Sequence, residues 1–245
     1  MLHLKVKKVK NAEEMGKAAA DEFEAVIHAK PACVIGLATG STPLPLYREL
    51  IAREKAGKLD FSRVRSANLD EYKGLAPDHP QSYRRFMQEN LFDHISIKHE
   101  NTIVPDGLAE DVQAMCEAYE RKIEDWGGVD CQLLGIGHDG HIGFNEPGEA
   151  FELETHCVDL TQETIEANKR FFDGNVDLVP KQAYTMGIKT IMQARKVLMV
   201  ANGVGKAEII KKAYFGPVTP EVPASILQMH PDFILVADEE ALSQL

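Results

Sequence analysis

The chain has 245 residues, 44% apolar and 27% charged, enough to bury a sizeable core under an ordinary polar surface, and the balance excludes disorder. Its formal charge of −11, from 27 basic against 38 acidic residues, excludes nucleic acid or an anionic membrane as the main partner. Any anionic ligand must be met by local positive groups.

Leu2–Val9 alternates apolar and basic residues as a partly exposed strand does, and Asn11 caps a helix running to about Ala29. These first residues lack an apolar region of signal-peptide length, and no later stretch approaches a membrane span, so the expected compartment is the cytoplasm. The apolar run Cys33–Ala38 predicts a buried strand. After it, Thr39-Gly40-Ser41-Thr42 leads through Pro43 into a helix, with Thr42 as N-cap. A strand, a tight loop and a helix start aim free N–H groups and the positive end of a helix dipole at one spot. The local pattern leaves both a phosphate cradle and an ordinary βα turn open. It is not a Walker A loop, because no G-K-[ST] follows.

Val64–Asn68 reads as another strand, stopped by Asp70 and Glu71. Adjacent residues of an extended segment face opposite ways, so at most one of these carboxylates reaches a crevice. Ser82 caps a predicted helix over Tyr83–His94, and a short strand follows at Thr102–Val104. A helix over about 109–126 places Val112, Met115, Cys116, Tyr119 and Ile123 on one core-facing stripe. The four cysteines, Cys33, Cys116, Cys131 and Cys157, form no C-x-x-C pair and read as reduced.

The apolar run Cys131–Ile136 has the make-up of a buried parallel strand and ends abruptly in glycine and polar residues, the stretch Leu133–Gly148 reading LLGIGHDGHIGFNEPG. Beyond it, Thr155–Leu160 predicts a strand, Thr161–Phe172 a helix, and the long excursion over about 161–180 a lid. Ala183–Ile188 reads as a strand, Thr190–Ala194 as a short helix, and Lys196–Ala201 as a further buried strand. Lys206 then opens a helix to Tyr214, where a lysine after glycine-rich turns can reach an anion at a strand end. Phe233–Ala237 is the last strand.

Strand and helix alternate almost throughout, which predicts an α/β fold: one domain over 1–245, a doubly wound, mainly parallel sheet with helices on both faces. Ligands of such sheets sit beyond the carboxyl ends of the strands, so Asp139, His141, Asn145 and Glu146 would arrive in the crevice together. Gly135-Ile-Gly-His-Asp-Gly140 matches G-x-G-x-x-G, but Pro147 and polar residues follow where a dinucleotide site needs a helix. His138 and His141 have no further ligand cluster such as H-E-x-x-H, and no G-x-S-x-G supplies a hydrolase nucleophile. What remains is acid–base chemistry by Asp, His and Glu on a phosphorylated substrate.

These residues resemble the glucosamine-6-phosphate deaminase family, whose members are aldose–ketose isomerases that release ammonia. The similarity runs through LATGSTP at 37–43, NLDEYKGL at 68–75, LLGIGHDGHIGFNEPG at 133–148, ANKRFF at 167–172 and the glycine–lysine pair at 205–206. It implies that Asp70 is the base moving a proton between C2 and C1, and that Asp139, His141 and Glu146 open the sugar ring. Gly40, Ser41, Thr42, Arg170 and Lys206 would hold the phosphate. It also implies an amino sugar phosphate as the small-molecule substrate, no metal and no organic cofactor, and a monomer or small homo-oligomer of the short, non-allosteric type. Longer members bind an activating sugar phosphate through basic residues just after the NEP motif. Here Gly148–Val158 holds Glu149, Glu152 and Glu154 and no lysine or arginine, which repels a phosphate dianion.

The chemistry suits the residue types as well. Opening a hemiacetal needs proton transfer at the ring oxygen and the anomeric hydroxyl, work for a histidine placed by carboxylates. Moving hydrogen between two neighbouring carbons needs one base that reaches both, which suits Asp70 at a neighbouring strand end. A 6-phosphogluconolactonase and a non-catalytic sugar-phosphate sensor are the alternatives. The sensor is opposed by the filled acid–base positions.

Overall fold

The computed structural model describes residues 5–245, and the beginning of the first expected strand, 2–4, lies outside the described residues. The chain opens with β1 (Lys5–Val9) and α1 (Ala12–Ala29), whose N-cap Asn11 accepts the N–H of Glu14 at 3.0 Å. Met15, Ala19, Ala20, Phe23 and Ile27 recur at helical spacing and are buried. Next come β2 (Val34–Leu37), α2 (Leu44–Lys55), β3 (Arg65–Asn68), β4 (Asp70–Tyr72), α3 (Tyr83–Asn90), β5 (Thr102–Ile103) and α4 (Val112–Asp125). The second half holds β6 (Cys131–Leu134), β7 (His156–Asp159), α5 (Gln162–Asn168), β8 (Gln182–Thr185), α6 (Ile188–Met192), β9 (Lys196–Ala201), α7 (Ala207–Phe215) and β10 (Phe233–Asp238).

Seven of these strands form one wholly parallel sheet in the order β1-β10-β9-β6-β2-β3-β5. From β2 the chain winds outward through β3 and β5, then returns to β6 and winds the other way through β9 and β10. The reversal falls between β2 and β6, so the loops leaving these two strands diverge and open a crevice at their carboxyl ends. Residues Val34–Leu37 and Cys131–Leu134 are entirely buried, as strands covered on both faces must be. Among the described residues no helix is long and apolar enough to cross a membrane.

A second sheet stands apart from the first. It is antiparallel, in the order β4-β8-β7, and was not expected from the sequence. The chain leaves β3 at Asn68, turns at Leu69 and enters β4, so the acidic pair expected at a strand end belongs to a strand of its own. A satellite cluster of Tyr72, Phe144, Leu160, Ile165, Phe172, Val179 and Ala183 packs on this sheet, separate from the main core.

Several element ends differ from expectation. The N-cap of α2 is Pro43, already helical at φ −77°, so the capping role expected of Thr42 is not made and no side-chain bond closes that terminus. Helix α3 stops at Asn90 because Leu91 leaves helical geometry, and a 3-10 turn covers Phe92–His94. Helix α4 begins at Val112, where Asp111 Oδ1 accepts the N–H of Ala114 at 2.9 Å.

Candidate active site

The carboxyl edge of the parallel sheet opens into a cleft of about 520 Å³. Its walls include Gly40, Ser41 and Thr42 after β2, Asp70 on β4, His138 and His141 after β6, Arg170 after α5, and Lys206 ahead of α7. Of the ten residues expected at the site, seven line this one space, and Asp139, Asn145 and Glu146 do not.

The loop after β2 is shaped by what lies beneath it. Gly40 has φ +98°, a left-handed backbone that glycine adopts without strain, and nothing lies within 4 Å of where a Cβ would be. The fully buried Tyr47 of α2 donates its hydroxyl to the carbonyl of Ala38 and pins the strand end. Across the cleft, Lys206 Nζ donates to the carbonyl of Ile136 at 2.6 Å. Burial lowers the pKa of this ammonium, and the nearby Asp139 carboxylate works against that. Arg170 is exposed, its guanidinium 4.7 Å from the centre of the Phe171 ring. The cleft therefore places two cations and a loop of free N–H groups around one region, in a protein that is acidic overall.

Asp70 and Glu71 face opposite ways, as extended backbone requires. Asp70 faces the cleft and is only 7% exposed. Burial, reinforced by the charge of Glu71, pushes its carboxyl up to about 8. Glu71 turns inward and accepts Ser82 Oγ at 2.7 Å, the N–H groups of Tyr83 and Arg84 at 3.0 Å each, and its neighbour Tyr72 N–H at 2.8 Å. It thereby ties β4 to the first turn of α3. That tie carries Tyr83 to the cleft wall, where its ring stacks on Phe144 at 6.1 Å between centroids.

His141 and Asp139 form the second acid–base group. Nδ1 of His141 stands 2.8 Å from Asp139 Oδ1, off the line of an ideal hydrogen bond, and the same oxygen accepts the backbone N–H of His141 at 3.1 Å. Burial works to raise the Asp139 carboxyl, but the imidazole and the N–H groups around it outweigh that and hold it at about 2. The ring of His141 packs over Gly137, where a Cβ would lie 2.3 Å from Nδ1, so no larger residue fits beneath it. Glu146, expected beside His141, is engaged elsewhere. Its carboxylate accepts the N–H and the hydroxyl of Thr161, each at 3.1 Å, and the hydroxyl of Thr164, which fastens it to the first turn of α5.

Some cleft residues gave no sign in the sequence. Tyr83, Phe144 and Asn202 come from a helix start, a loop and a strand end, and only the tertiary fold brings them together. His138 was weighed only as a metal ligand; its Nδ1 donates to the carbonyl of Gly205 at 3.1 Å, joining the two loops that flank Lys206.

Acid–base groups and anion-facing loops gathered at the switch point of a parallel sheet define an α/β protein built to act on a small anionic ligand. The chain belongs to the family of glucosamine-6-phosphate isomerases and 6-phosphogluconolactonases, whose model matches residues 7–235. It is 56% identical over 236 residues to a glucosamine-6-phosphate deaminase of Clostridium perfringens, covering 96% of this chain and 97% of that one. It is 55% identical over 233 residues to a glucosamine-6-phosphate deaminase of Lachnoclostridium phytofermentans, covering 95% and 98%. A solved structure of a monomeric glucosamine-6-phosphate deaminase superposes with a TM-score of 0.95 at 42% identity, covering 99% of this chain and all of that one. A 6-phosphogluconolactonase from Thermotoga maritima shares the fold, with a TM-score of 0.76 at 20% identity over 97% of this chain and all of that one.

Proposed function

We propose that this protein converts glucosamine 6-phosphate to fructose 6-phosphate and ammonia. The observation that carries the reading is one cleft holding a desolvated carboxylate, Asp70, and a carboxylate-backed imidazole, His141, in a chain 56% identical to a glucosamine-6-phosphate deaminase. The phosphate is held by Lys206, Arg170 and the N–H groups of Gly40, Ser41 and Thr42, where charge-assisted bonds are strong. His141, kept in place by Asp139, moves a proton between the anomeric hydroxyl and the ring oxygen, and the ring opens to the aldehyde. Asp70, as carboxylate, takes the C2 proton while the aldehyde oxygen gains a proton from the substrate's own ammonium, leaving an enolamine, and Asp70 then gives its proton to C1. The resulting ketimine adds water at C2 and expels ammonia, leaving the ketose. An Asp70 carboxyl near 8 is a stronger base than a solvated aspartate, and its proton affinity lies close to working pH.

Segment 161–180 is the lid of this cleft in our reading. Thr164, Ala167, Asn168 and Arg170 line the cleft from this side, and Ile165, Phe172 and Val179 pack the segment on the satellite cluster. Glu146 joins His141 in ring opening once the first turn of α5 releases it. The protein works as a monomer or small homo-oligomer. It does so without sugar-phosphate activation, because Gly148–Val158 presents Glu149, Glu152 and Glu154, of which among the described residues Glu154 alone is in an ion pair, with Lys189. The direct test is incubation of purified protein with glucosamine 6-phosphate. Ammonia and fructose 6-phosphate in equal amounts are expected, whereas hydrolysis of 6-phosphogluconolactone without ammonia release would move the protein to the lactonase branch.

A further inference from the structure

Asp70 and His141 stand on different structural bodies, one on the antiparallel sheet and one on a loop of the parallel sheet. Their relative placement must be fixed by something between them. The loop from Ile142 to Glu146 docks on the end of β8, where Thr185 lies directly across from Asp70 in the β4–β8 pair. The backbone N–H of Phe144 donates to Thr185 Oγ1 at 3.0 Å. Asn145 Nδ2 donates to the carbonyls of Ile142 and Met186, each at 2.8 Å. On its other side, Met186 N–H donates at 2.7 Å to the carbonyl of Leu69, the residue before Asp70. Gly143 fills the remaining gap, with φ +59° and a Cα so close that a Cβ would lie 2.7 Å from Thr185 Oγ1 and 3.6 Å from Asp70 Oδ2.

We infer that Thr185 and Asn145 are positioning residues that hold the His141 loop in register with Asp70, so that one docked sugar meets the ring-opening group and the base without moving. The inference rests on the roles proposed above for Asp70 and His141. Both residues are buried, Thr185 completely and Asn145 to 6% exposure, and neither lines the cleft. Thr185 Oγ1 and the Asn145 amide nitrogen serve the loop and the strand rather than solvent. A chain needing only a packed core at this point would be served by a valine, which has nearly the shape of threonine but cannot accept the Phe144 N–H. Left without that acceptor, the N–H is buried and unpaired, and the loop shifts to find another partner.

Displacements of about 1 Å at a reacting group cost on the order of 10²-fold in rate, while affinity held by a distant phosphate grip is little changed. Thr185→Val should therefore lower kcat on glucosamine 6-phosphate by roughly 10–10²-fold with KM within about twofold, and Thr185→Ser, which restores the acceptor, should recover most of it. Thr185→Ala, with no added methyl to clash, should fall in the same way, and thermal melting of each variant separates loss of fold from loss of alignment. Unchanged kcat in a folded Thr185→Val protein would overturn the inference. So would a defect confined to KM, or a Thr185→Ser protein as slow as Thr185→Val. The wild-type protein measured alongside tests the proposed function separately: no ammonia from wild type sinks that reading, whereas an active wild type with an equally active valine variant sinks only this one.

Discussion

The two sheets of this protein do different jobs and are built differently. The parallel sheet has strands such as Val34–Leu37 and Cys131–Leu134 sealed on both faces, and the loops at its edge present backbone N–H groups, Lys206 and His141. The antiparallel sheet is three short strands with a small aromatic cluster, and it contributes Asp70 and the base of the 161–180 segment. In the proposed mechanism one region supplies most of the phosphate grip and the ring-opening imidazole, and the other supplies the base for the carbon-bound hydrogen and the covering segment with Arg170. The contrast teaches that the buried carboxylate proposed as base stands on the secondary body, whose rings Tyr72, Tyr83 and Phe144 pack on one another. Of the groups proposed to face the phosphate, Gly40, Ser41, Thr42 and Lys206 sit on the edge of the parallel sheet, where free N–H groups are made by topology, and Arg170 comes from the 161–180 segment.

The sharpest way to break this comparison is to remove the base. Asp70→Asn should lower kcat by about 10²–10⁴-fold while substrate affinity stays within a few-fold, since a general base acts on the transition state and not on the phosphate. Steady-state kinetics of the variant checks it, and near-normal turnover would exclude Asp70. On the opposite body, Lys206→Ala should act mainly on KM. A charge-assisted hydrogen bond contributes roughly 1.5–3 kcal/mol, or about 10–150-fold in affinity. Glucosamine without its phosphate, processed as well as the phosphorylated sugar, would contradict that assignment.

Two smaller effects sharpen the account through pH. Asp70 must be ionised to accept a proton, so kcat/KM should fall as pH drops through about 8. Glu71→Gln removes the neighbouring charge, the second cause of that displacement after burial, and should move the acid limb to lower pH by part of its span; an unmoved limb would mean that Glu71 does not set it. The same group affects stability with a definite sign. Its folded-state pKa is raised above the ordinary 3.8, so it contributes most to stability at acid pH, and that contribution is lost as pH rises through about 8. Asp70→Asn should therefore melt at a higher temperature than wild type at about pH 9, with the gap narrowing as pH falls and closing near about pH 4. A variant less stable than wild type at the higher pH would show that the carboxyl is not held neutral by burial.

The two sheets also differ in how far they could be read in advance. The central strands β2, β9 and β10 of the parallel sheet are near-continuous apolar runs, and the expected bounds of β9, Lys196–Ala201, match the observed ones. The order of alternating elements sufficed for a doubly wound fold, and backbone alternation separated Asp70 from Glu71. Two strands of the antiparallel sheet, β7 and β8, fall within or overlap the strands expected over Thr155–Leu160 and Ala183–Ile188, whereas β4, DEY, is three residues long, too short for a period of two to stand out, and nothing local tells that the three pair into one sheet. Its pairing joins residues more than a hundred positions apart, such as Asp70 and Thr185, which no local pattern reports. For the same reason the grip of Thr161 and Thr164 on Glu146 was not foreseen, nor was the place of Tyr83 on the cleft wall.

The division of labour between the two bodies is tested most directly by comparing His141→Gln and Asp70→Asn on two substrates, glucosamine 6-phosphate and an analogue blocked from closing its ring. The account predicts that His141→Gln loses about 10²-fold or more on the ring-closed sugar and far less on the blocked one, because general acid–base assistance is needed only for opening. Asp70→Asn should lose equally on both. Equal losses by His141→Gln on the two substrates would contradict the assignment of ring opening to the parallel-sheet loop.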